Sequence, residues 1–381
     1  MVFDFVVIGA TGMQGRIVTK DLIKSGYSVL MCGRDKSRIE DFLDKYKGKT
    51  SFQYLDLNDK KEVIRTLKKS GSKIVVNCAE CVWNLTALKY FIEAGINSLD
   101  LGSDIPMTKE QLALDRELKK KGLIHITGCG SVPGIGNVML HYASEKFMKI
   151  DTVEVGFAWD SNIKKFVVPF SMQSIIEEFT SPAPYLHDHK LIKVKPMNSI
   201  VKAHFRAIGN EKEFKVGHHP ETYTFYRYCA GKGVKNIEFY AGFPEHSLNV
   251  IQMLVDFGFT KDKPINFKGI KIFPDEFLTQ VLKGLKYPPG YTETENLWVL
   301  IKGERKKILM ECIVPPLKGW EDAGCNIDTG MPASIMAQMI SGGQIITPGS
   351  YAPEDIVPVE PFFKELRKRK MLVYENGRVI N

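Results

Sequence analysis

Three glycines near the start of the chain have the spacing of a phosphate-binding turn. Gly9, Gly12 and Gly15 follow a short apolar run at 5–8 and precede a segment with helical periodicity. In such a turn the first glycine lets the chain leave the strand sharply, the second lets backbone approach a pyrophosphate, and the third lets the helix pack on the strand. Amide groups at the helix N-terminus then face the phosphate charge. The residues predicted to hold a dinucleotide here are Gly9, Thr11, Gly12, Met13, Gln14 and Gly15.

The end of the second predicted strand, at 27–32, indicates which dinucleotide is bound. Arg34 stands where NAD-dependent enzymes usually have an acid that binds the ribose 2′-hydroxyl. A guanidinium can instead donate two N–H bonds to a 2′-phosphate. We therefore expect NADP. NAD is possible as well, because Asp35 either caps the following helix or contacts a plain ribose.

Three more segments are predicted to border the cofactor, because ligands of open α/β sheets bind at the carboxyl ends of the strands. Asp56 follows a short strand at 52–54 and could reach the adenine, although nearby Asp59 is as readily a helix N-cap. A turn rich in glycine and proline at 128–137 lets backbone press against a nicotinamide ring, although it also suits a plain strand–helix connection. The predicted contacts are Asp56, Asn77, Cys78, Ala79, Pro133 and Gly134.

The elements that must position these residues alternate along the first 126 residues. Predicted strands lie at 5–8, 27–32, 52–54, 74–78, 97–101 and 123–126, with a charged helix near 108–121. This alternation predicts an α/β fold with a Rossmann-type, doubly wound parallel sheet. After residue 150 the alternation ends. A half-buried strand at 153–159 and a hairpin of 297–302 with 308–314 predict a second, α+β domain.

The composition is that of a globular protein large enough for two domains. The chain has 381 residues, of which 44% are hydrophobic and 25% charged. Its net charge of +8 is spread along the sequence, so we expect no nucleic-acid partner. The excess of positive charge is expected to keep the protein soluble and to attract anionic substrates to some extent. No apolar stretch reaches membrane-spanning length, and the chain enters its first strand directly. These features predict a cytoplasmic protein with no membrane partner.

The cysteines fit the same location. The chain has seven, an odd number, and they are dispersed. Cys78 and Cys81 form a CxxC pair, but a zinc site needs a second pair or histidines at ligand spacing. Core packing and loop position explain these cysteines better than a redox role, and no metal site is predicted.

The chain resembles the saccharopine dehydrogenase-like oxidoreductases, which comprise saccharopine reductases, lysine 6-dehydrogenases and carboxynorspermidine dehydrogenases. The resemblance rests on segments spread over nearly the whole sequence, which makes it more specific than any single motif. They are Ile8-Gly9-Ala10-Thr11-Gly12, Ser98-Leu99-Asp100-Leu101-Gly102-Ser103, the turn at 128–137, Gly217-His218-His219-Pro220-Glu221-Thr222, Thr329-Gly330-Met331-Pro332-Ala333-Ser334 and Val357-Pro358-Val359-Glu360-Pro361-Phe362.

This resemblance implies both an architecture and a reaction. The architecture is a dinucleotide-binding Rossmann domain at 1–127, a substrate and dimerisation domain with a mixed sheet at 128–328, and a C-terminal helix and tail at 329–381 that pack back on the first domain. A homodimer or higher homo-oligomer is also implied. The reaction is hydride transfer between nicotinamide and a C–N bond. Thr11 and Arg34 favour an NADP-dependent member acting on an amino-acid-derived amine or imine, such as lysine or saccharopine.

Amine oxidation needs a group that removes a proton from the substrate ammonium, whose pKa is ordinarily near ~10.4. Histidine is the usual agent near neutral pH. Within the resemblance we favour His219 as the base, with Glu221 orienting it or holding the amine. His218 is the alternative, and Asp104 is a further general-base candidate. A histidine beside proline in a loop is often only a solvated turn residue.

Substrate carboxylates and ammonium groups need complementary charges. Arg227 could clamp a carboxylate through two hydrogen bonds, and Lys232 and Tyr223 lie in the same region of the sequence. Glu178 could bind a substrate ammonium, although paired glutamates near a helix end are often only solvated. Two other functions stay open at this point. They are a catalytically silent NADP-binding regulator and a reductase of carbonyl-conjugated substrates.

Overall fold

The structure is a computed structural model that describes residues 2–197, 200–217 and 219–381. Its first part alternates strands with helices. These elements are β1 (Phe5–Ile8), α1 (Met13–Lys24), β2 (Val29–Gly33), α2 (Glu40–Lys45), β3 (Thr50–Tyr54), α3 (Lys60–Ser70), β4 (Ile74–Asn77), α4 (Asn84–Ala94), β5 (Asn97–Asp100), α5 (Ile105–Leu112), α6 (Asp115–Lys121), β6 (Ile124–Ile126) and α7 (Ile135–Ser144).

The second part has longer strands and a less regular order. Its elements are β7 (Thr152–Ser161), α8 (Met172–Thr180), β8 (Ala183–His187), β9 (Lys190–Val194), β10 (Val201–Phe205), β11 (Gly209–Lys215), α9 (Glu221–Cys229), β12 (Asn236–Phe243), α10 (Glu245–Asp256), β13 (Ile265–Phe267), β14 (Ile270–Ile272), α11 (Pro274–Leu282), β15 (Glu293–Gly303), β16 (Lys306–Val314), α12 (Ile327–Ser341), β17 (Gly349–Tyr351), α13 (Pro353–Ile356), α14 (Val359–Lys368), β18 (Leu372–Glu375) and β19 (Arg378–Val379).

The first sheet confirms the predicted doubly wound fold. Its strand order is β17-β6-β5-β4-β1-β2-β3, and all neighbouring strands are parallel. The chain reverses its direction of winding between β1 and β4, and this is the place where such sheets bind ligands. The central strands are buried on both faces, because helices cover each side of the sheet.

The second sheet is mixed, as predicted. Its main path is β10-β11-β12-β7-β15-β16-β18-β19, in which β12 and β7 are parallel and the other neighbours antiparallel. The predicted hairpin is present as β15 and β16. Glu304 and Arg305 form its two-residue turn and have φ angles of 52° and 60°, as a tight hairpin turn requires.

Helix α12 lies between the two sheets. Most of its residues are apolar or small and nearly all are buried, which is typical of a helix covered on every side. It packs directly against α1, because Gly330 lets the two helices approach closely. A Cβ atom at Gly330 would lie 2.5 Å from Cγ2 of Ile17. The core therefore runs without a break from the first sheet into the second.

The C-terminal segment divides between the two sheets. Strand β17 extends the first sheet by pairing with β6, whereas β18 and β19 extend the second sheet beyond β16. The prediction that the whole of 329–381 packs on the first domain therefore describes α12 and β17 but not the last strands. The physical reason is that β16 offers an open edge, where Val373 pairs with Cys312 and becomes fully buried.

Two details of the sequence prediction are corrected by the backbone. The charged helix predicted near 108–121 consists of two shorter helices, α5 and α6. The alternating tyrosines Tyr226 and Tyr228 would also suit one face of a strand in the sequence, but Glu221–Cys229 is the helix α9.

Candidate active site

The turn between β1 and α1 has the shape of a dinucleotide cradle. Gly9 has a φ of 73°, and a Cβ atom there would lie 2.5 Å from the carbonyl carbon of Cys78. A Cβ atom at Gly15 would lie 2.4 Å from the carbonyl oxygen of Gly9, so only glycine allows the helix to start here. Gly12 is the N-cap of α1 and provides no side-chain cap. The amide groups of the first helical turn are therefore available to a phosphate.

The other residues of this turn contact neighbouring elements. Thr11 packs against the end of β2, where a Cβ atom at Gly33 would lie 2.8 Å from its Cγ2. Met13 begins α1 and packs against the core. The Nε2 of Gln14 donates a hydrogen bond of 3.3 Å to Oδ1 of Asn326. Gln14 thus joins the cradle to the segment that leads into α12.

Arg34 and Asp56 lie close together at the ends of β2 and β3. Hydrogen bonds from Asn58 lower the pKa of Asp56, and the charge of Arg34 lowers it further. Asp35 caps the short turn that follows β2 by accepting a hydrogen bond of 3.0 Å from the Ser37 amide. The arrangement leaves an exposed guanidinium where the ribose of a bound dinucleotide would lie, and this suits a 2′-phosphate.

The end of β4 faces the cradle. Asn77 is buried and donates a hydrogen bond of 2.9 Å to Oδ1 of Asn84, while its own Oδ1 accepts one of 3.3 Å from the Ala79 amide. Cys78 is the residue that Gly9 approaches. Asp59 is the N-cap of α3 and accepts a hydrogen bond of 3.0 Å from the Glu62 amide, which confirms that part of the prediction.

The turn at 128–137 is held from both sides. Asp100 Oδ1 accepts hydrogen bonds from the amides of Gly102 and Gly128, of 2.9 and 3.1 Å. Pro133 packs on the same two glycines, since a Cβ atom at Gly102 would lie 2.8 Å from its Cγ. The Gly134 amide donates a hydrogen bond of 2.7 Å to Oδ1 of Asn137. The backbone at this edge of the sheet is thus fixed before any ligand arrives.

A buried polar network supports Asp100 from below. Gln111 Nε2 donates a hydrogen bond of 2.6 Å to Asp100 Oδ2 and lies 3.2 Å from His125 Nε2. The other ring nitrogen, His125 Nδ1, lies 2.9 Å from Ser98 Oγ. Burial lowers the pKa of His125 although the charge of Asp100 opposes this. The lowered pKa makes the ring neutral at pH 7.

His219 lies between two carboxylates in the second domain. Its Nε2 is 3.6 Å from Glu178 Oε1, and its Nδ1 is 3.7 Å from Glu221 Oε2. The ring stacks on Phe239, with 3.5 Å between the ring centroids. Burial by itself would lower the pKa of His219, but the two carboxylates outweigh it and raise that pKa to about 9. The imidazole is therefore protonated at neutral pH.

A second group of acids, which the sequence reasoning missed, lies near this histidine. The carboxyl groups of Glu295 and Asp328 are within hydrogen-bonding reach of each other, and the charges of Glu293 and Glu178 act on Glu295. Burial raises the pKa of Glu295 well above its usual range and that of Asp328 to about 7. One signal could have revealed the group. Glu293 and Glu295 alternate along β15 and so lie on the same face of the strand, and the other residues of that face are apolar or glycine.

Arg227 and Lys232, which the sequence predicts as contacts of a substrate carboxylate, contact other parts of the fold in the structure. Arg227 forms an ion pair with Asp355. The Nζ of Lys232 donates hydrogen bonds of 2.6 and 3.0 Å to the carbonyl oxygens of Ser144 and Phe147, where it fixes the end of α7. Both cations therefore already have partners within the fold.

The remaining predicted site residues are dispersed. Tyr223 lies on α9, where Lys109 Nζ is 4.6 Å from its ring centroid. Asp104 is the N-cap of α5 and accepts a hydrogen bond of 2.9 Å from the Met107 amide, a contact that favours a structural role over proton transfer. His218 lies outside the described residues. Within the part of the chain that the structure describes, no group of three or more His, Cys, Asp or Glu side chains could hold a metal ion.

Comparisons with known proteins agree with this two-part site. The saccharopine dehydrogenase NADP binding domain matches residues 5–126, and the saccharopine dehydrogenase C-terminal domain matches residues 129–372. Carboxyaminopropylagmatine dehydrogenase of Synechocystis is 22% identical over 387 residues, covering 95% of this chain and 94% of the relative. Carboxynorspermidine synthase of Vibrio cholerae is 21% identical over 371 residues, covering 89% of this chain and 88% of the relative.

A solved structure shows the same fold. The apo histidine-tagged saccharopine dehydrogenase (L-Glu forming) of Saccharomyces cerevisiae is similar over 100% of both chains, with a TM-score of 0.76 and 14% sequence identity. No helix within the described residues is long and apolar enough to cross a membrane.

Proposed function

The chain belongs to the saccharopine dehydrogenase family and is an NADP-binding oxidoreductase acting on CH–NH or CH–NH2 groups, and from this premise we propose its substrate chemistry. The proposal is hydride transfer at the C–N bond of an amino-acid-derived amine or imine, such as lysine, saccharopine or a carboxyalkylated diamine. The carboxyalkylated diamines are included because the names of the two relatives describe such compounds. Membership among dehydrogenases removes the silent regulator as an alternative.

One observation carries the proposal. The turn at 128–137 and the titratable groups of the second domain meet at the start of α12. Thr329 Oγ1 is 3.5 Å from Ser131 Oγ in the turn at 128–137 and 3.2 Å from Asp328 Oδ1. A C–N bond placed at this junction would lie between the nicotinamide side of the first domain and the acid–histidine group of the second.

The first domain would hold NADP through backbone and a single cation. The cradle at 9–15 would receive the pyrophosphate, Arg34 the 2′-phosphate, and Asn77, Cys78, Ala79, Pro133 and Gly134 the nicotinamide end. NADPH, when bound, supplies the hydride. Asp35 and Asp56 would border the adenosine, where the hydrogen bonds that they accept from Ser37 and Asn58 limit their freedom.

The second domain would manage protons. An imine nitrogen must be protonated to accept a hydride readily, and an ammonium must be deprotonated before it can lose one. His219 carries a proton at neutral pH, because Glu178 and Glu221 raise its pKa to about 9. We therefore assign it as proton donor in the reductive direction and as base in the oxidative direction at higher pH. Glu221 orients Nδ1, and Glu178 holds Nε2.

The direct test is a substrate screen with both cofactors. Lysine, saccharopine, ornithine and polyamine derivatives are offered with NADP⁺ and NAD⁺, and primary amines are offered together with an amino-acid aldehyde and NADPH or NADH. Absorbance of the reduced nicotinamide is followed. We expect turnover with at least one C–N substrate and a preference for the phosphorylated cofactor. Turnover only with carbonyl-conjugated substrates, in which a C=C or C=O bond is reduced, would contradict the proposal.

We also infer a homodimer, which would bury an apolar surface of the second domain. Around α10, the hairpin β13–β14 and α11, large apolar side chains are exposed to solvent. They include Met253, Phe257, Phe259, Ile265, Phe267, Ile270, Phe273, Phe277, Val281 and Leu285. A monomer rarely exposes so continuous an apolar patch, and a second copy of the chain is the simplest cover. Light scattering tests this, and a cytoplasmic location stays a prediction from the sequence.

A further inference from the structure

The turn at 128–137 relies on a side chain for one of its backbone hydrogen bonds. The carbonyl oxygen of Pro133 accepts a hydrogen bond of 2.8 Å from the Gly130 amide. At the other end of the same peptide unit, the Gly134 amide donates one of 2.7 Å to Oδ1 of Asn137. Gly134 has a φ of 136°, and a Cβ atom there would lie 1.8 Å from the Gly130 carbonyl oxygen. The Pro133–Gly134 peptide unit is therefore held at both ends.

Asn137 is held in turn by an acid from a remote part of the chain. Its Nδ2 donates a hydrogen bond of 2.7 Å to Oε2 of Glu354, which lies 217 positions later. Both side chains are fully or almost fully buried, so water does not compete for this bond. Glu354 lies on α13, which follows β17 and packs against α7, the helix that contains Asn137. The C-terminal segment thus reaches the turn through one carboxyl group.

The two partners of Asn137 leave its amide only one orientation. The N–H group of Gly134 is a donor and needs the amide oxygen, whereas an ionised carboxylate only accepts and needs the amide nitrogen. In the reversed orientation two N–H groups would face each other, and the amide oxygen would face the oxygen of Glu354. The carboxyl group therefore decides whether Oδ1 is available to the turn.

Keeping an acid at this position costs free energy, because burial disfavours its charged form. Burial and the charge of Asp355 raise the pKa of Glu354 to about 7, while contacts with Asn137 and Thr224 act in the opposite direction. Over the described ranges of the chain, no lysine, arginine or histidine forms an ion pair with Glu354. The hydrogen bond from Asn137 is thus the contact that offsets the cost of burial.

We propose that Glu354 is a positioning residue for the nicotinamide. By fixing the orientation of Asn137, it holds the Pro133–Gly134 peptide unit in the place against which the ring of NADPH would pack. This inference rests on the proposed function, which assigns the nicotinamide end to this turn, and it adds a residue that acts without touching the cofactor. Without Glu354 the amide of Asn137 can reverse, Gly134 loses its acceptor, and the peptide unit can rotate.

The binding test compares two ligands of the full-length protein that differ in the nicotinamide. They are NADPH and 2′-phospho-ADP-ribose, which lacks the ring, and both are titrated calorimetrically at pH 8. The ratio of the two Kd values, analogue over NADPH, reports what the nicotinamide end contributes. We expect Glu354→Met, which removes the acceptor, to lower this ratio by about fivefold or more. The Kd for the analogue should stay the same, because its binding groups are far from this turn.

Reversing the hydrogen bond separates positioning from a general loss of stability. Glu354→Gln keeps an acceptor oxygen and should retain the Kd ratio within about twofold. Asn137→Asp sets two carboxyl groups against each other and should lower the ratio as Glu354→Met does. In the double variant Asn137→Asp/Glu354→Gln the introduced glutamine donates to the introduced aspartate, and Gly134 keeps its acceptor. The ratio should then recover to within about threefold of the unaltered protein.

The matched control is Glu213→Met. It removes another buried carboxyl group whose pKa burial raises to about 7, but on β11 of the second sheet. The Kd ratio should be that of the unaltered protein. Thermal unfolding checks that each variant is folded. If Glu354→Met does not fold, the comparison of Asn137→Asp with the double variant still decides.

Two outcomes would overturn the inference. One is a Kd ratio that is the same in Glu354→Met and in the unaltered protein, including a ratio near one in both. The other is a double variant that binds NADPH no better than Asn137→Asp alone.

Kinetics separate this inference from the function on which it rests. If a C–N substrate is turned over, Glu354→Met should lower kcat by about tenfold with KM for the amine unchanged, because the ring and not the amine is misplaced. Glu354→Gln should restore kcat. Unchanged Kd ratios with intact turnover would overturn only the role of Glu354. A lowered ratio in Glu354→Met without turnover of any C–N substrate would instead contradict the proposed function and leave that role standing.

Discussion

The two halves of the proposed site differ in what they offer a ligand. The first domain offers backbone amides and close-packed glycines, so in the proposed function its specificity would be set by shape. The second offers buried side chains, with His219 between two glutamates and with Glu293, Glu295 and Asp328 nearby, so its specificity would be set by charge and protonation. An added Cβ atom would block the first half, whereas the gain or loss of a proton would change the second.

This contrast indicates which changes each half tolerates. The cradle should be insensitive to pH but intolerant of added volume. The second domain should accept isosteric replacements structurally, yet change its function whenever a charge is removed.

His219→Gln should produce the largest loss. Removing the proton donor is expected to lower turnover about 100-fold or more, with NADPH affinity unchanged. In the unaltered enzyme the reductive rate should be level near neutral pH and fall above pH about 9, because His219 loses its proton there. The variant should not show this fall in rate above pH about 9. His204→Gln, at an exposed histidine that bonds to Asn210, is the control. Equal pH profiles in enzyme and variant would remove His219 from the mechanism.

Gly15→Ala should disrupt the dinucleotide cradle only because it adds volume. Its Cβ atom would lie 2.4 Å from the Gly9 carbonyl oxygen, so the cradle must shift. We expect the free energy of unfolding to fall by about 1–3 kcal/mol and NADPH affinity by about tenfold or more. Fluorescence titration of NADPH measures the second effect. Gly231→Ala, where a Cβ atom meets nothing within 4 Å, should change neither quantity.

Arg34→Asp should alter cofactor choice without altering the amine site. Loss of the charge-assisted contacts to a 2′-phosphate is expected to shift the NADPH-to-NADH ratio of kcat/KM by about tenfold or more toward NADH. KM for the amine substrate should stay constant. Arg305→Asp, on the exposed hairpin turn, provides the charge-matched control. If the ratio does not move, another group reads the 2′-position.

The neutral His125 should make stability depend on pH in the acid range. Its pKa is lowered in the folded protein, so below pH ~6.5 the unfolded chain binds more protons than the folded one. The free energy of unfolding should then decrease by up to about 1.4 kcal/mol for each pH unit. His125→Asn removes this contribution, so denaturant melts at pH 5 and 7 should differ less in the variant. An equal difference in both proteins would refute the neutral ring.

Arg227→Met should have the smallest effect. Its guanidinium pairs with Asp355 near the surface, and the exposed position limits the contribution of that pair to about 1 kcal/mol or less. KM for the amine and for any substrate carboxylate should be unchanged. A large rise in KM would return Arg227 to the substrate site and weaken the division into two halves.

The cradle could be predicted from sequence because its function is local. Gly9, Gly12 and Gly15 lie within a single turn of chain, between a strand and a helix whose own patterns are clear. The parallel order of β1 to β6 followed from the same local alternation. In this region, residues that are close in sequence are also the ones that meet in space.

The pairing of Glu295 with Asp328 could not be found in that way. The two residues come from different elements, β15 and α12, and only the tertiary fold brings their carboxyl groups together. For Arg227 and Lys232, residue type suggested a ligand contact, but it could not show that their partners in the structure, Asp355 and the carbonyl oxygen of Ser144, belong to distant segments of the fold. Tertiary contacts between remote segments decide both cases. The local pattern on β15 reports its two glutamates but not the partner on α12.

Strand β17 has a consequence for how the protein is made. The β6 edge of the first sheet is completed by residues 349–351, which a ribosome adds more than two hundred positions after β6 itself. Until then a growing chain presents an unpaired, apolar strand edge, the feature through which partly folded proteins associate. A shortened gene that ends after the first domain would leave that edge bare permanently. The nucleotide-binding half is thus finished only when nearly the whole polypeptide has been synthesised.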